Sequence, residues 1–192
     1  MNIAAQPLAH SARANVFEHE ATWRLGPEAV ERDRGPGERF PSAAVVALRL
    51  SFDPTRFDTA RHRCDLRLAD GRAVSLFSTH FAGIADFEDR AATYVPLVRE
   101  LVARVAAANP SCRFSAGKRS LAYFAQHAFL LAIALLLVLV LGLVGEVAFS
   151  TLVLVKLGII AAFVPVLISY ARKNRPRRFD PPAIPVDVLP GG

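Results

Sequence analysis

The stretch RHRCDLRLADGRAVSLFS, residues 61–78, decides the predicted fold of the N-terminal part of the chain. Apolar and polar residues alternate along it, and the residues that share the inward face are His62, Cys64, Leu66 and Leu68. A period of two is typical of a half-buried strand. Asp70-Gly71 supplies the positive φ angles of a type I′ turn. The stretch therefore predicts an antiparallel hairpin with one wet face.

The same alternation occurs upstream, in FEHEATWRL (17–25) and AVVALRLSFD (44–53), with a short return strand between them. Downstream, one apolar stripe predicts a helix that ends before Asn109-Pro110; it consists of Tyr94, Val98, Leu101, Val102 and Val105. Pro96 allows two interpretations. The helix starts near Thr93 with the proline in its first turn, or it starts at 86–89 with the proline as a kink.

These elements predict an α+β fold over residues 16–111, after a flexible tail at 1–15. About five strands form a small curved antiparallel sheet or partial barrel, and the amphipathic helix caps its apolar face. The connection STHFAGIADFEDRAATYVPLVREL (78–101) resembles that of bacterial pleckstrin-homology-like (PH-like) proteins with two transmembrane helices. The resemblance covers about residues 17–109, but that family has seven strands, two more than the sequence indicates. It implies a binding or scaffolding domain, sometimes for acidic lipids, without catalysis.

Two apolar segments follow the predicted domain and raise the hydrophobic fraction to 53%. Residues 121–145 contain no charged residue, and residues 147–171 contain one, Lys156. Each exceeds the roughly 20 residues needed to cross a bilayer. The sequence thus predicts a two-helix transmembrane hairpin after the α+β domain, followed by a Pro-rich disordered tail at 176–192.

The net charge of +6 is concentrated beside these apolar segments, because residues 1–111 contain equal numbers of Arg and of Asp plus Glu, and no Lys. The basic residues that flank the segments are Arg113, Lys118, Arg119, Arg172, Lys173, Arg175, Arg177 and Arg178. Their position outside the hairpin, with only Glu146 in its turn, fits the positive-inside rule. We therefore predict a two-pass protein of the bacterial inner (cytoplasmic) membrane with both termini cytoplasmic. The same distribution argues against nucleic acid as a partner.

Lys156 lies near the middle of the second predicted span, where a charge is costly and commonly functional. Two interpretations stay open. The ammonium reaches toward water or is partly neutralised, or it serves an oligomer or a polar path. His127 is the other intramembrane polar candidate of this kind, near the cytoplasmic end of the first span.

Candidate contact residues for a lipid or protein partner lie on the outward faces of the predicted strands: Arg49, Arg61, Arg63 and Arg67. Guanidinium groups bind phosphate bidentately, although a solvated sheet face is the competing interpretation. His62 and Cys64 share an inward face, which makes two metal ligands at best. We predict no metal site, no catalytic residues and no cofactor.

The predicted function is a non-catalytic integral membrane protein that presents a PH-like binding or scaffold domain at the membrane surface. The expected partners are anionic lipid headgroups and a homo-oligomer or another membrane protein. Two alternatives remain: a small subunit of a transporter or channel that uses Lys156, and a membrane enzyme.

Overall fold

A computed structural model describes residues 8–33, 37–118 and 174–191, together with the single positions 128, 132 and 172. The chain divides into two compact units. The first comprises residues 1–117 and 177–192, and the second comprises residues 118–176. All the strands described below belong to the first unit.

The first four strands form an antiparallel sheet in chain order: β1 (Ala9–Ala12), β2 (Ala21–Leu25), β3 (Ala29–Asp33) and β4 (Glu38–Pro41). The alternation in β2 buries Ala21, Trp23 and Leu25 and leaves Arg24 exposed. β1 lies inside residues 1–15, where the sequence predicted a flexible tail. A strand of four residues is too short to show a periodicity, and it is ordered by pairing with β2.

The next three strands form an antiparallel meander: β5 (Val45–Phe52), β6 (His62–Leu68) and β7 (Ala73–Phe77). A 3₁₀ turn at Ser42–Ala44 precedes them. The turn between β6 and β7 differs from a type I′ turn, because Gly71 has a φ of 88° while Asp70 does not adopt a positive φ. This pattern is typical of a type I turn that is completed by a left-handed glycine.

After β7 come a two-stranded hairpin and the helix: β8 (Thr79–Gly83), β9 (Asp86–Asp89) and α1 (Ala91–Ala108). α1 starts at Ala91, between the two starts that the sequence allowed: residues 86–89 form β9, and Thr93 lies inside the helix. Pro96 is an interior residue of α1. β10 (Arg113–Ala116) then pairs parallel with β5, and β11 (Arg177–Arg178) pairs antiparallel with β10. The resulting five-stranded sheet has the order β11-β10-β5-β6-β7.

The helix places one face in the hydrophobic core. Its fully buried side chains are Tyr94, Leu97, Val98, Leu101, Val102 and Val105. They belong to one cluster with Trp23 of the four-stranded sheet and with Leu48 and Leu66 of the five-stranded sheet. Both sheets therefore direct their inner faces toward the helix, and their outer faces are left for solvent or partners.

Residues 177–191 complete this core, in the range where the sequence predicted a Pro-rich disordered tail. Val188 and Leu189 are buried with the core residues, and Phe179 packs at 5.9 Å from the ring of Phe114. Arg177 forms an ion pair with Asp187. The regular structure of this segment is limited to β11 and a 3₁₀ turn at Val186–Val188, but its prolines do not prevent apolar side chains from packing against the sheet.

No helix within the described ranges combines the length and the apolar character needed to cross a membrane. α1 itself carries Arg99, Glu100 and Arg104 opposite its buried stripe, as expected of a helix that packs on a sheet. The predicted spans 121–145 and 147–171 lie outside the described residues, apart from the single positions 128 and 132. We correct three predictions on this finding: the transmembrane hairpin, the integral-membrane function and the two-pass inner-membrane location.

The predicted single curved sheet or partial barrel is corrected as well, because the described residues form three sheets of four, five and two strands. The sequence missed the short strands and the parallel pairing of β10 with β5, which depend on contacts between distant parts of the chain. The resemblance to PH-like proteins stays a prediction.

We expect Val188→Ala to lower the free energy of unfolding by about 2 kcal/mol, because it removes two buried methyl groups and leaves a cavity. Urea denaturation of the full chain measures the change. Val186→Ala is the matched control, since Val186 is 68% exposed two residues away. Equal stability of the two variants would show that this segment does not contribute to the core.

Candidate functional site

The outward face of the five-stranded sheet carries five arginines, which we call the arginine face: Arg49, Arg63, Arg67, Arg113 and Arg178. Strand register arranges four of them in two rows, and Arg63 lies in a third row, between Ser51 and Phe77. In one row, Arg113 and Arg67 lie on either side of Ala47. In the other, Arg178, Ser115, Arg49 and Asp65 follow one another across four strands. Small side chains thus separate several of the guanidinium groups.

Two arginines at the start of β6, Arg61 and Arg63, are held by carboxylates and by an aromatic ring. Arg63 Nε lies 2.6 Å from Asp65 Oδ1, and the neighbouring Arg61 Nη2 lies 3.0 Å from Asp53 Oδ2. The two guanidinium carbons lie 5.5 Å and 5.0 Å from the centre of the Phe77 ring. These contacts fix the two side chains, so they form a rigid border of the face rather than mobile charges.

Three arginines of the face are exposed: Arg67, Arg113 and Arg178. The ion pairs found within residues 37–118 and 174–191 do not include any of the three. An exposed guanidinium presents five donors in a planar fork that matches a carboxylate or a phosphate. The face therefore offers three accessible cationic groups on a fixed frame.

The sequence predicted four contact arginines, and the sheet brings them together. Arg49 and Arg67 lie on β5 and β6, Arg63 joins them, and Arg61 directly precedes β6. Sequence analysis missed the contribution of Arg113 and Arg178, which it assigned to membrane topology. The alternation in Arg113–Ala116, which buries Phe114 and Ala116, is the signal that could have identified β10.

His10 is a buried polar residue that sequence analysis placed in a tail. Its Nε2 lies 2.8 Å from the Phe77 carbonyl oxygen, and its Nδ1 lies 2.9 Å from Thr93 Oγ1. The ring also packs edge-on against Tyr94 at 5.6 Å. Burial lowers the pKa of His10, and the nearby Arg90 adds to this effect. His10 is thus a neutral connector between β1, the end of β7 and the start of α1.

The pair that was weighed as metal ligands, His62 and Cys64, lies in the interior. Both are buried, and burial raises the pKa of the Cys64 thiol well above its ordinary value. The His62 ring packs at 5.1 Å from Phe52. No group of three or more His, Cys, Asp or Glu side chains in the described residues could hold a metal ion.

Cys112 is the second cysteine, and it follows the C-terminal end of α1. Burial raises the pKa of its thiol to about 11, so the thiol is protonated at neutral pH. Because the thiolate is the nucleophile, this environment disfavours reaction at Cys112.

A small pocket lies beside Trp23 and is lined in part by Arg32, His19 and Phe77. Arg32 is largely buried, with its guanidinium 5.2 Å from the Trp23 ring and Nη1 3.3 Å from Glu38. The free volume is about 10 Å³, which is the space of about one water molecule. A water there would accept a hydrogen bond from Arg32 Nε, which has no partner among the described residues.

Several predicted polar and basic residues lie outside the described residues: His127, Lys156, Arg119 and Lys173. Among the described ones, Arg172 and Arg175 are exposed and Lys118 is half-buried. The two interpretations of Lys156 therefore stay open, and the role of His127 stays a prediction.

Comparison of the chain with protein-family models, curated proteins and solved structures gave no match. The functional argument therefore depends on the side chains themselves.

We expect the His10 contribution to stability to be present above a pH of about 6.5 and to be lost as the pH falls below it, because the folded pKa is depressed. Urea denaturation of wild type and His10→Gln at several pH values between about 8 and 5 tests this. The variant should be less stable at high pH and less sensitive to acid. His19→Gln, at an exposed position, should retain the wild-type profile. An unchanged profile in His10→Gln would contradict the assignment.

The Tyr94 hydroxyl is buried without a hydrogen-bond partner among the described residues. We expect Tyr94→Phe to raise the free energy of unfolding by about 1 kcal/mol, because an unpaired buried donor costs about 1–3 kcal/mol. Urea denaturation measures it, with Tyr94→Leu as a control for lost ring packing. A loss of stability in Tyr94→Phe would indicate a bound water at the hydroxyl.

Proposed function

We propose that this protein is a non-catalytic interaction protein whose arginine face binds a carboxylate-rich surface of a protein partner. The carrying observation is the set of three exposed arginines, Arg67, Arg113 and Arg178, on three strands of one sheet, β6, β10 and β11.

The shape of the face favours a partner with a large contact surface. It is the outer side of a sheet, and its arginines alternate with small residues such as Ala47, Ser75 and Ser115. Arginine and aromatic residues are enriched in protein interfaces, and Phe77 borders this one. A flat surface with dispersed charges suits another surface better than it suits a small enclosed ligand.

The chemistry of the face supports carboxylate partners. Arg63 already binds Asp65, and Arg61 binds Asp53, so this sheet uses guanidinium–carboxylate pairing within itself. The three exposed arginines offer the same bidentate geometry to an external acid. The sequence prediction of anionic lipid headgroups involves the same charge, and it is an alternative outcome of the experiment below.

The non-catalytic part of the proposal is supported by how the reactive side chains are used. Both ring nitrogens of His10 have hydrogen-bond partners, and the Cys64 thiol is buried. Asp58 is buried and accepts a hydrogen bond from the Thr79 hydroxyl. These groups hold strands and loops together and are shielded from a substrate.

We expect the full chain to bind a fluorescent poly-glutamate peptide, with affinity that decreases as salt is raised. Combining Arg67→Gln, Arg113→Gln and Arg178→Gln should weaken binding about tenfold or more, since each exposed pair contributes up to about 1 kcal/mol. Fluorescence anisotropy measures this.

The matched control combines Arg24→Gln, Arg39→Gln and Arg99→Gln, which removes the same charge from exposed sites off the face. An equal loss of affinity in both triple variants would show that net charge alone determines binding, and it would overturn the proposal. Vesicles of phosphatidylcholine with and without phosphatidylserine form the second arm. Arginine-dependent binding to the anionic vesicles, without binding to the peptide, would replace the protein partner with lipid.

A further inference from the structure

A second surface of the first unit combines exposed apolar residues with acidic ones; we call it the acidic edge. It consists of Val16, Phe17, Glu20, Ile84, Asp86 and Glu88, all of them exposed. Phe17 is 92% exposed and Ile84 is 95% exposed. Large apolar side chains so fully in water, rimmed by charge, are typical of a site that is covered by a partner.

The loop that carries Val16 and Phe17 is held in a fixed conformation. The Arg13 guanidinium donates to the carbonyl oxygens of Asn15, Val16 and Glu18, at 3.1, 2.8 and 2.8 Å. Asn15 Oδ1 also accepts a hydrogen bond from the Phe17 amide at 2.9 Å. Because the loop is already ordered, docking through Phe17 costs little conformational entropy.

The hairpin of β8 and β9 lies directly beside this loop. The Phe81 amide donates to the Arg13 carbonyl oxygen at 2.8 Å, and the Arg13 guanidinium lies 5.4 Å from the Phe81 ring. At the turn, Ala85 has a φ of 60°, an uncommon conformation for a residue with a Cβ. The turn carries Ile84 and Asp86, and the contacts of Arg13 with Phe81 connect this hairpin to the loop.

We infer that the acidic edge of one copy docks on the arginine face of a second copy. The inference rests on the proposed function, because it names the partner of that face. The two surfaces complement each other in charge, although residues 1–111 are formally neutral. Phe17 and Ile84 would cover the small residues between the arginines, while Glu20 and Asp86 pair with guanidinium groups. Glu88 already forms an ion pair with Arg90 of its own copy at 2.6 Å.

The contact is heterologous, since the two surfaces are different parts of the same chain. After a single contact forms, one copy therefore keeps an unused edge and the other keeps an unused face. Association should continue beyond a dimer, either into a closed ring or into an open chain of copies.

The test uses two full-chain variants and sedimentation velocity. The face variant combines Arg67→Gln, Arg113→Gln and Arg178→Gln, and the edge variant combines Phe17→Ser and Ile84→Ser. Wild type should associate with rising concentration, whereas each variant alone should associate about 100-fold more weakly. An equimolar mixture should form dimers and nothing larger, because the intact face of the edge variant binds the intact edge of the face variant.

Two outcomes would overturn the inference: association of either variant at wild-type strength, or a mixture that stays monomeric. A wild type that is monomeric at every concentration would also overturn it. The poly-glutamate experiment is independent of these results, so the arginine face can retain an acidic partner of another kind. Circular dichroism of both variants excludes unfolding as the cause of weaker association.

Discussion

The apolar stripe of α1 is the constraint on which the rest of the first unit depends. A helix with six fully buried side chains needs apolar cover on more than one side, and each such side chain contributes about 1.5–3 kcal/mol when buried. Two sheets supply that cover with their inner faces. The outer faces are then free of packing requirements, and the arginine face occupies one of them.

Part of this fold could be read from the sequence because it is periodic. β5, β6 and β7 are long enough to alternate visibly, and α1 shows its stripe over four turns. β1 has four residues and β11 has two, so neither carries enough alternation to be distinguished from a loop. β1 is ordered by pairing with β2, the next strand in the chain. β11 is ordered by pairing with β10, which is distant in the sequence.

The candidate site could also be predicted only in part, namely for the arginines that lie close together in the sequence. Arg61, Arg63 and Arg67 could be predicted to share a face, because they lie within or next to one strand. Arg113 and Arg178 join them only through the parallel pairing of β10 with β5 and the return of the chain in β11. Because both arginines flank the apolar segments in the sequence, they were interpreted as signals of membrane topology. Net charge could not reveal the arginine face either, since the formal neutrality of residues 1–111 hides the separation of charge between two surfaces.

The burial of Val188 and Leu189 has a consequence for the order of events during translation. The core that contains Trp23 and α1 also contains these two residues, which are synthesised after the helix and all the described strands of the first unit. The first unit therefore cannot complete its packing until this segment has left the ribosome. Until then, the apolar surface that this segment covers stays accessible to water and to chaperones. The edge of β10 that pairs with β11 is likewise unpaired until β11 has been made.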